Sequence, residues 1–143
     1  MPLLDQEAKR ILEERFSSDN IMALATLDDG EPAVRYVNVY YEAGSFYSIT
    51  YALSGKMQQI ARNPSVALAG EWFTAKGQGE NLGWFGLDKN RCLAEKLRSA
   101  FHQWIDNGHN DFNDQNTIIL RIRLKSGVLF SNGRRFELEF DDE

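Results

Sequence analysis

The sequence predicts a mainly β fold: a barrel of six to seven mostly antiparallel strands with helices at its periphery. Three observations point there. Segments rich in strand-forming residues, separated by short turn signals, recur along most of the chain, whereas only three segments carry helical spacing. The first strands are joined by connections too short for a crossover, so neighbours must run antiparallel. An open antiparallel sheet of this size would expose its edges, and closure removes them.

The elements follow in order. Leu4, Ala8, Ile11, Leu12 and Phe16 recur at helical spacing, which predicts an amphipathic helix over 5–17 ended by "SSDN". "IMALATL" (21–27) and "PAVRYVNVYY" (32–41) flank Asp28-Asp29-Gly30, a hairpin signal, and "FYSIT" (46–50) follows the turn "EAGS". A short helix begins near Ser54 and stops at Asn63-Pro64, because a residue before proline is pushed out of the α region. "SVALAGEWFTA" (65–75) reads as one long strand and "GQGENLGWFGL" (77–87) as a less regular one, with glycines that permit bulges or close backbone approach. Leu93, Leu97, Ala100, Phe101 and Trp104 predict a longer helix over 90–106, closed by Asn107-Gly108. After the polar loop "HNDFNDQN" come two strands, 117–124 and 134–140, with "GVLF" and the turn "SNG" between them.

At 143 residues the chain fits a single domain, 1–143, without internal repeats or linkers. It is 43% hydrophobic and 26% charged, and no apolar run approaches the ~18 residues of a membrane span. The start, "MPLLDQEAKR", does not read as a secretion signal, so a cytoplasmic location and no membrane partner are expected. The net charge of −5 argues against a nucleic-acid partner, since phosphate backbones select clustered Lys and Arg. A site for one phosphate group remains compatible with it, because two or three cations and a few backbone donors suffice.

Other chemistries find little support. Cys92 is the single cysteine, which excludes an intrachain disulfide framework, and it reads as an apolar filler. His102 and His109 are the only histidines; even with Asp106, Asp111 and Asp114 they read as a solvated helix end, and no metal site is expected. There is no Gly-x-Ser-x-Gly elbow, and the chain marks no catalytic acid or base.

The informative stretch is "FYSITYALSGKMQQIARNP" (46–64), where a strand hands over to a helix through Ser54-Gly55-Lys56. A helix N-terminus offers unpaired N–H groups and partial positive charge; Ser54 can cap it, Gly55 lets an anion approach and Lys56 adds a full charge. The same three residues also fit a plain N-cap followed by a solvated lysine. Arg35 lies mid-strand with Val37, Val39 and Tyr41 on its face, where a charge needs a counter-charge. A phosphate, an acidic neighbour or a place at the barrel mouth would each serve.

The ordered set "ALATLDDGEPAVRYVNVYY", "GSFYSITYALSGKMQQIARNPSVALAGEW" and "GQG", over roughly residues 7–80, resembles the flavin-mononucleotide-binding split-barrel family that includes pyridoxamine 5′-phosphate oxidase. The resemblance implies a split barrel, FMN as cofactor, and a homodimer with a flavin at each of two interface clefts. It places the strand motif that begins with a phosphate-binding arginine on Arg35-Tyr36-Val37-Asn38, whose later backbone groups would run beside the flavin ring, and the pair beside ring or ribitol on Ile49-Thr50. The helix-start motif falls on Ser54-Gly55-Lys56 and a flavin-reaching glutamine on Gln78. Trp72, Trp84 and Phe85 come from segments that the family sets near the cleft, and could wall a flat substrate.

Two departures separate this chain from the vitamin oxidases: Gly55 replaces the family's middle arginine, and Tyr40 stands where a substrate lysine closes the strand motif. The C-terminal signature of those enzymes is also missing from "NGRRFELEFDDE". The expected function is therefore an FMN-dependent oxidoreductase acting on a small conjugated compound, with NADH or NADPH as electron donor, and not a true pyridoxamine-phosphate oxidase. The alternatives are a non-enzymatic flavin or haem protein for storage or stress, and a barrel without cofactor that serves as an interaction module.

Overall fold

A computed structural model describes residues 5–140; Leu4 and the acidic end lie outside them. Seven strands form one antiparallel sheet: β1 (Asn20–Asp28), β2 (Glu31–Glu42), β3 (Ser45–Tyr51), β4 (Ser65–Gly70), β5 (Phe73–Trp84), β6 (Thr117–Ser131) and β7 (Arg134–Glu139). Their order is β3-β2-β1-β4-β5-β6-β7, and β3 also pairs with β6 from Ser45↔Arg123 to Tyr51↔Thr117. Six strands thus close into a barrel and β7 adds to its side. Three helices, α1 (Gln6–Phe16), α2 (Gly55–Arg62) and α3 (Arg91–Ala100), lie at the periphery.

The turns form where the sequence signals them. Asp29-Gly30, Ala43-Gly44 and Asn132-Gly133 all take positive φ, the twist that joins adjacent antiparallel strands. Gly77 sits at a register shift in β5, where an added Cβ would lie 2.4 Å from the Arg123 carbonyl oxygen, so the close approach of β5 and β6 requires glycine.

Three expected boundaries differ. The run 65–75 is two strands, because the chain turns at Glu71-Trp72, with Trp72 at φ +58°. Strand-forming composition alone conceals this turn, since bulky residues rarely adopt that conformation. The late helix stops at Ala100 and continues as turns through Phe101 and Trp104, so apolar spacing outlasts the helix proper. "GVLF" belongs to β6, which runs unbroken for 15 residues.

Two apolar clusters hold the fold. Inside the barrel, α1 contributes Ala8, Ile11, Leu12 and Phe16, with Phe16 against Phe46 and Phe73 at ring distances of 5.8 and 5.1 Å. Met57 and Ile60 of α2 join the same cluster, and α2 packs against β1 and β5. On the outer face, Ala94 and Leu97 of α3 cover Tyr47 and Ile49 of β3, Ile119 of β6 and Tyr40. Strand alternation makes this two-sided burial possible: in β3, Phe46, Ser48 and Thr50 are buried inward while Tyr47 and Ile49 meet α3.

The barrel has a seam. β2 and β3 pair only over Tyr40–Glu42 and Ser45–Tyr47. Before Tyr40, β2 pairs with β1 alone, and after Tyr47, β3 pairs with β6 alone. The strands diverge there, and α2 begins just past the end of β3.

Candidate functional site

The seam gathers polar groups from four elements. β2 brings Arg35, whose face is otherwise filled by buried Val37, Val39 and Tyr41. β3 ends at buried Thr50, and Ser54 caps α2 through a 3.4 Å bond that its hydroxyl accepts from the Met57 N–H. Lys56 in the first turn of α2 donates through Nζ to Thr50 Oγ1. Arg35 Nη1 donates to Thr26 Oγ1 of β1 at 2.6 Å and to the Leu24 carbonyl at 3.4 Å, and Nη2 donates to Gln59 Oε1 of α2 at 3.0 Å.

These partners are all neutral. Among the described residues neither cation has a carboxylate at ion-pair distance. Burial pulls the Arg35 guanidinium below its ordinary pKa, and Lys56 is pulled below its own by burial first and by the Arg35 charge second. Two half-buried cations that disfavour one another, beside a capped helix N-terminus, are chemically suited to an anion with several acceptor oxygens. A phosphate monoester fits that donor set.

The residues singled out by sequence divide into two groups. Arg35, Thr50, Ser54 and Lys56 come together at the seam, with Gly55 exposed on the same helix turn. The others lie elsewhere. Tyr36 points outward and is 80% exposed, and Val37 is buried in the core. Asn38, on the face opposite Arg35, donates from Nδ2 to Asp19 Oδ1 at 2.9 Å. Ile49 packs under α3. Gln78 accepts from Arg123 at 3.5 Å and lines an outer groove of about 440 Å³ with Ser65, Lys76 and Lys125.

Nor do the aromatic residues meet the cations. Trp72 lies at the β4–β5 turn, 69% exposed, with its ring edge on Phe130. Trp84 donates from Nε1 to the Phe112 carbonyl, and Phe85 is buried against Phe112 and the Arg98 guanidinium. Tyr40 donates to Glu42 Oε1 beside the α3 cluster. Both histidines are exposed, and His102 Nδ1 rests on the Ser99 carbonyl. Cys92 is exposed on α3 rather than a buried filler, because its position lies off the helix face that carries Ala94 and Leu97. Sequence reasoning missed Thr26 and Gln59; both are uncharged and distant in sequence, and only the helix-to-strand packing joins them.

An antiparallel barrel of six strands, left unpaired along part of the β2–β3 seam and flanked by peripheral helices, defines a split-barrel protein. The profile of the pyridoxamine 5′-phosphate oxidase family matches residues 4–125, and the chain belongs to that family. No curated protein matches significantly. Among solved structures the chain is similar to General Stress Protein 26 from Bacillus anthracis, with TM-score 0.70 and 16% identity over 93% of this chain and 100% of that one. It is also similar to a FAD-binding protein from Mesorhizobium loti, with TM-score 0.66 and 18% identity over 89% and 94%. A heme binding protein from Mycobacterium smegmatis gives 0.65 and 14% over 86% and 53%. At such identities these structures share the fold. Among the described residues no helix is long and apolar enough to cross a membrane.

Proposed function

We propose that the protein is an FMN-binding flavoprotein and that Arg35, Lys56 and Ser54 hold the cofactor's phosphate. The observation that carries this reading is the pair of half-buried cations with only neutral partners. Family membership and the FAD-binding relative support a flavin as the molecule that brings the phosphate. Thr50 stands at the ribitol side. The backbone of Tyr36, Val37 and Asn38, on the unpaired edge of β2, is free to run beside the ring.

A bound flavin supplies hydride and electron transfer; this chain binds, orients and shields it. The seam holds no carboxylate or imidazole among the described residues, and the proposed activity is an oxidoreduction, carried by the flavin, that draws electrons from NADH or NADPH and passes them to a small conjugated compound. Tyr40, tied to Glu42, stands where a vitamin oxidase would carry a lysine, which sets the pyridoxamine substrate aside.

The homodimer belongs to the same proposal. The outer barrel face carries Ala23, Ala25, Ala67 and Ala69 in a groove of about 640 Å³ beside exposed Val34 and Tyr36. A second copy covering it would remove apolar surface from water and wall the flavin; light scattering should give twice the chain mass, and Ala67→Arg should halve it.

The test is an FMN titration followed by quenching of flavin fluorescence. Arg35→Ala and Lys56→Ala should each weaken binding by about 10- to 100-fold, the worth of a charge-assisted contact of about 1.5–3 kcal/mol. Unchanged affinity in both would overturn the reading. A Soret band in the purified protein, in place of flavin bands, would favour haem. Bleaching by NADH or NADPH followed by reoxidation in air distinguishes an enzyme from a flavin store.

A further inference from the structure

Thr26 and Gln59 are 33 positions apart, yet their side chains are bonded to each other and to the same guanidinium. A guanidinium presents five N–H donors: two edges, one shared by Nη1 and Nη2 and the other by Nε and Nη2, carry two each, and the second Nη1 donor faces the side-chain stem. Both Nη1 donors are used, on Thr26 Oγ1 and the Leu24 carbonyl, and one Nη2 donor goes to Gln59 Oε1. The Thr26 hydroxyl gives its own proton to Gln59 Oε1 at 2.6 Å. The two acceptors are therefore neighbours and occupy the Nη1–Nη2 edge together. Among the described residues no acceptor engages Nε, which leaves Nε and the second Nη2 donor parallel and free, the fork that matches two oxygens of one phosphate.

We infer that Thr26 and Gln59 are positioning residues: they clamp one edge of Arg35 so that its Nε–Nη2 edge faces the phosphate. This rests on the phosphate-binding role of Arg35 proposed above. Their neutrality matters, because a carboxylate at either place would orient the guanidinium equally well but cancel its charge. Thr26 is 2% exposed, so its hydroxyl is fixed by the barrel and not by solvent. Gln59 lies on α2, three residues after Lys56, so it reaches Arg35 from the helix that carries the second cation.

The test combines these changes with Arg35→Ala and reads FMN affinity, with inorganic phosphate as competitor. Thr26→Val and Gln59→Leu should each weaken both ligands about 3- to 10-fold, the worth of an orienting hydrogen bond. Thr26→Ser should rescue to within about twofold, and Gln59→Glu should cost more than about tenfold by pairing Arg35. In the Arg35→Ala background Thr26→Val and Gln59→Leu should change nothing further, a non-additivity that a general loss of packing would not produce. Equal losses in both backgrounds, or unchanged affinity in the single variants while Arg35→Ala weakens binding, would overturn the clamp and leave the phosphate site standing. A harmless Arg35→Ala would remove both. Gln59 is only half-buried, so its variants decide the matter if Thr26→Val does not fold.

Discussion

Strand β2 carries a polar cluster on each face, and the two are built on opposite principles. On the outer face Asp19 accepts from Asn38 Nδ2 at 2.9 Å and from Trp104 Nε1 at 2.8 Å. Nearby, Lys96 pairs with Glu42 at 2.9 Å and Arg98 with Asp106 at 3.0 Å. Both cations there are paired with carboxylates, and Asp19 is held by two neutral donors. Three residues earlier, on the inner face, Arg35 and Lys56 meet hydroxyl, amide and carbonyl oxygens only, and burial works against both. A fold keeps such an unbalanced pair at a cost to its own stability, and the cost makes sense where a ligand supplies the counter-charge. The outer cluster holds α3 in place; the inner one is poised for something else.

Charge reversal should separate them most sharply. Lys56→Glu puts a carboxylate beside Arg35, and FMN affinity should fall by more than about 100-fold, while thermal unfolding of the empty protein should move up or stay level because the new pair relieves the repulsion. Asp19→Ala should do the reverse. Leaving the Trp104 N–H and the Asn38 amide without their acceptor should cost about 1–3 kcal/mol in denaturant unfolding, with FMN affinity within about twofold of the parent. Comparable loss of FMN from both variants would erase the distinction.

A smaller effect should appear in the pH dependence. The lysine loses its proton more readily when folded than when unfolded, so between its lowered folded pKa and the ordinary value of 10.5 the unfolded chain binds more protons. The penalty is full below the folded pKa and disappears above 10.5, so the empty protein should gain stability as pH rises through that window. Lys56→Met should flatten this rise and raise the melting temperature of the empty protein, while FMN binding weakens. In the parent, FMN affinity should decline over the same window as Lys56 loses its charge. A pH profile identical in parent and Lys56→Met would show that the lysine is not the group under strain.

The inner cluster was only half legible in the sequence. Arg35 announced itself because alternation put a charge in line with Val37, Val39 and Tyr41, and Ser54-Gly55-Lys56 because a change of period marked a helix start. The hairpins were equally plain, since Asp-Gly and Asn-Gly turns are fixed by local backbone preference. Thr26 and Gln59 gave no such sign: a threonine in a strand and a glutamine in a helix are ordinary, and their meeting depends on how α2 lies across the barrel. The turn at Trp72 was hidden for the opposite reason, because the two-residue link between Gly70 and Phe73 puts a bulky side chain in a left-handed conformation that its type rarely adopts. Asn38 follows Arg35 by three positions, so alternation sends its side chain to the other face, where it donates to Asp19.

The mildest expected effect concerns Gly55, where the family's arginine is absent. An added Cβ there would meet only Gln59 Nε2, at 3.9 Å, and the backbone is not left-handed, so a side chain fits without strain. Gly55→Arg should leave stability nearly level, because losing glycine from a helix gains about 0.5–1 kcal/mol while a cation in the first turn opposes the helix dipole by about 0.3–1 kcal/mol. With a phosphate at the helix tip, the third cation should tighten FMN by about 2- to 10-fold at low salt, an advantage that shrinks as ionic strength rises. Gly55→Ala isolates the backbone part: it should stabilise the fold and leave FMN affinity unchanged. The same charge added at exposed Ser99, on the outer α3 side, should change FMN affinity by less than about twofold. If Gly55→Arg binds FMN no better than Gly55→Ala, the tip of α2 does not face the phosphate, and Lys56 must reach the anion by some path other than the first turn of the helix.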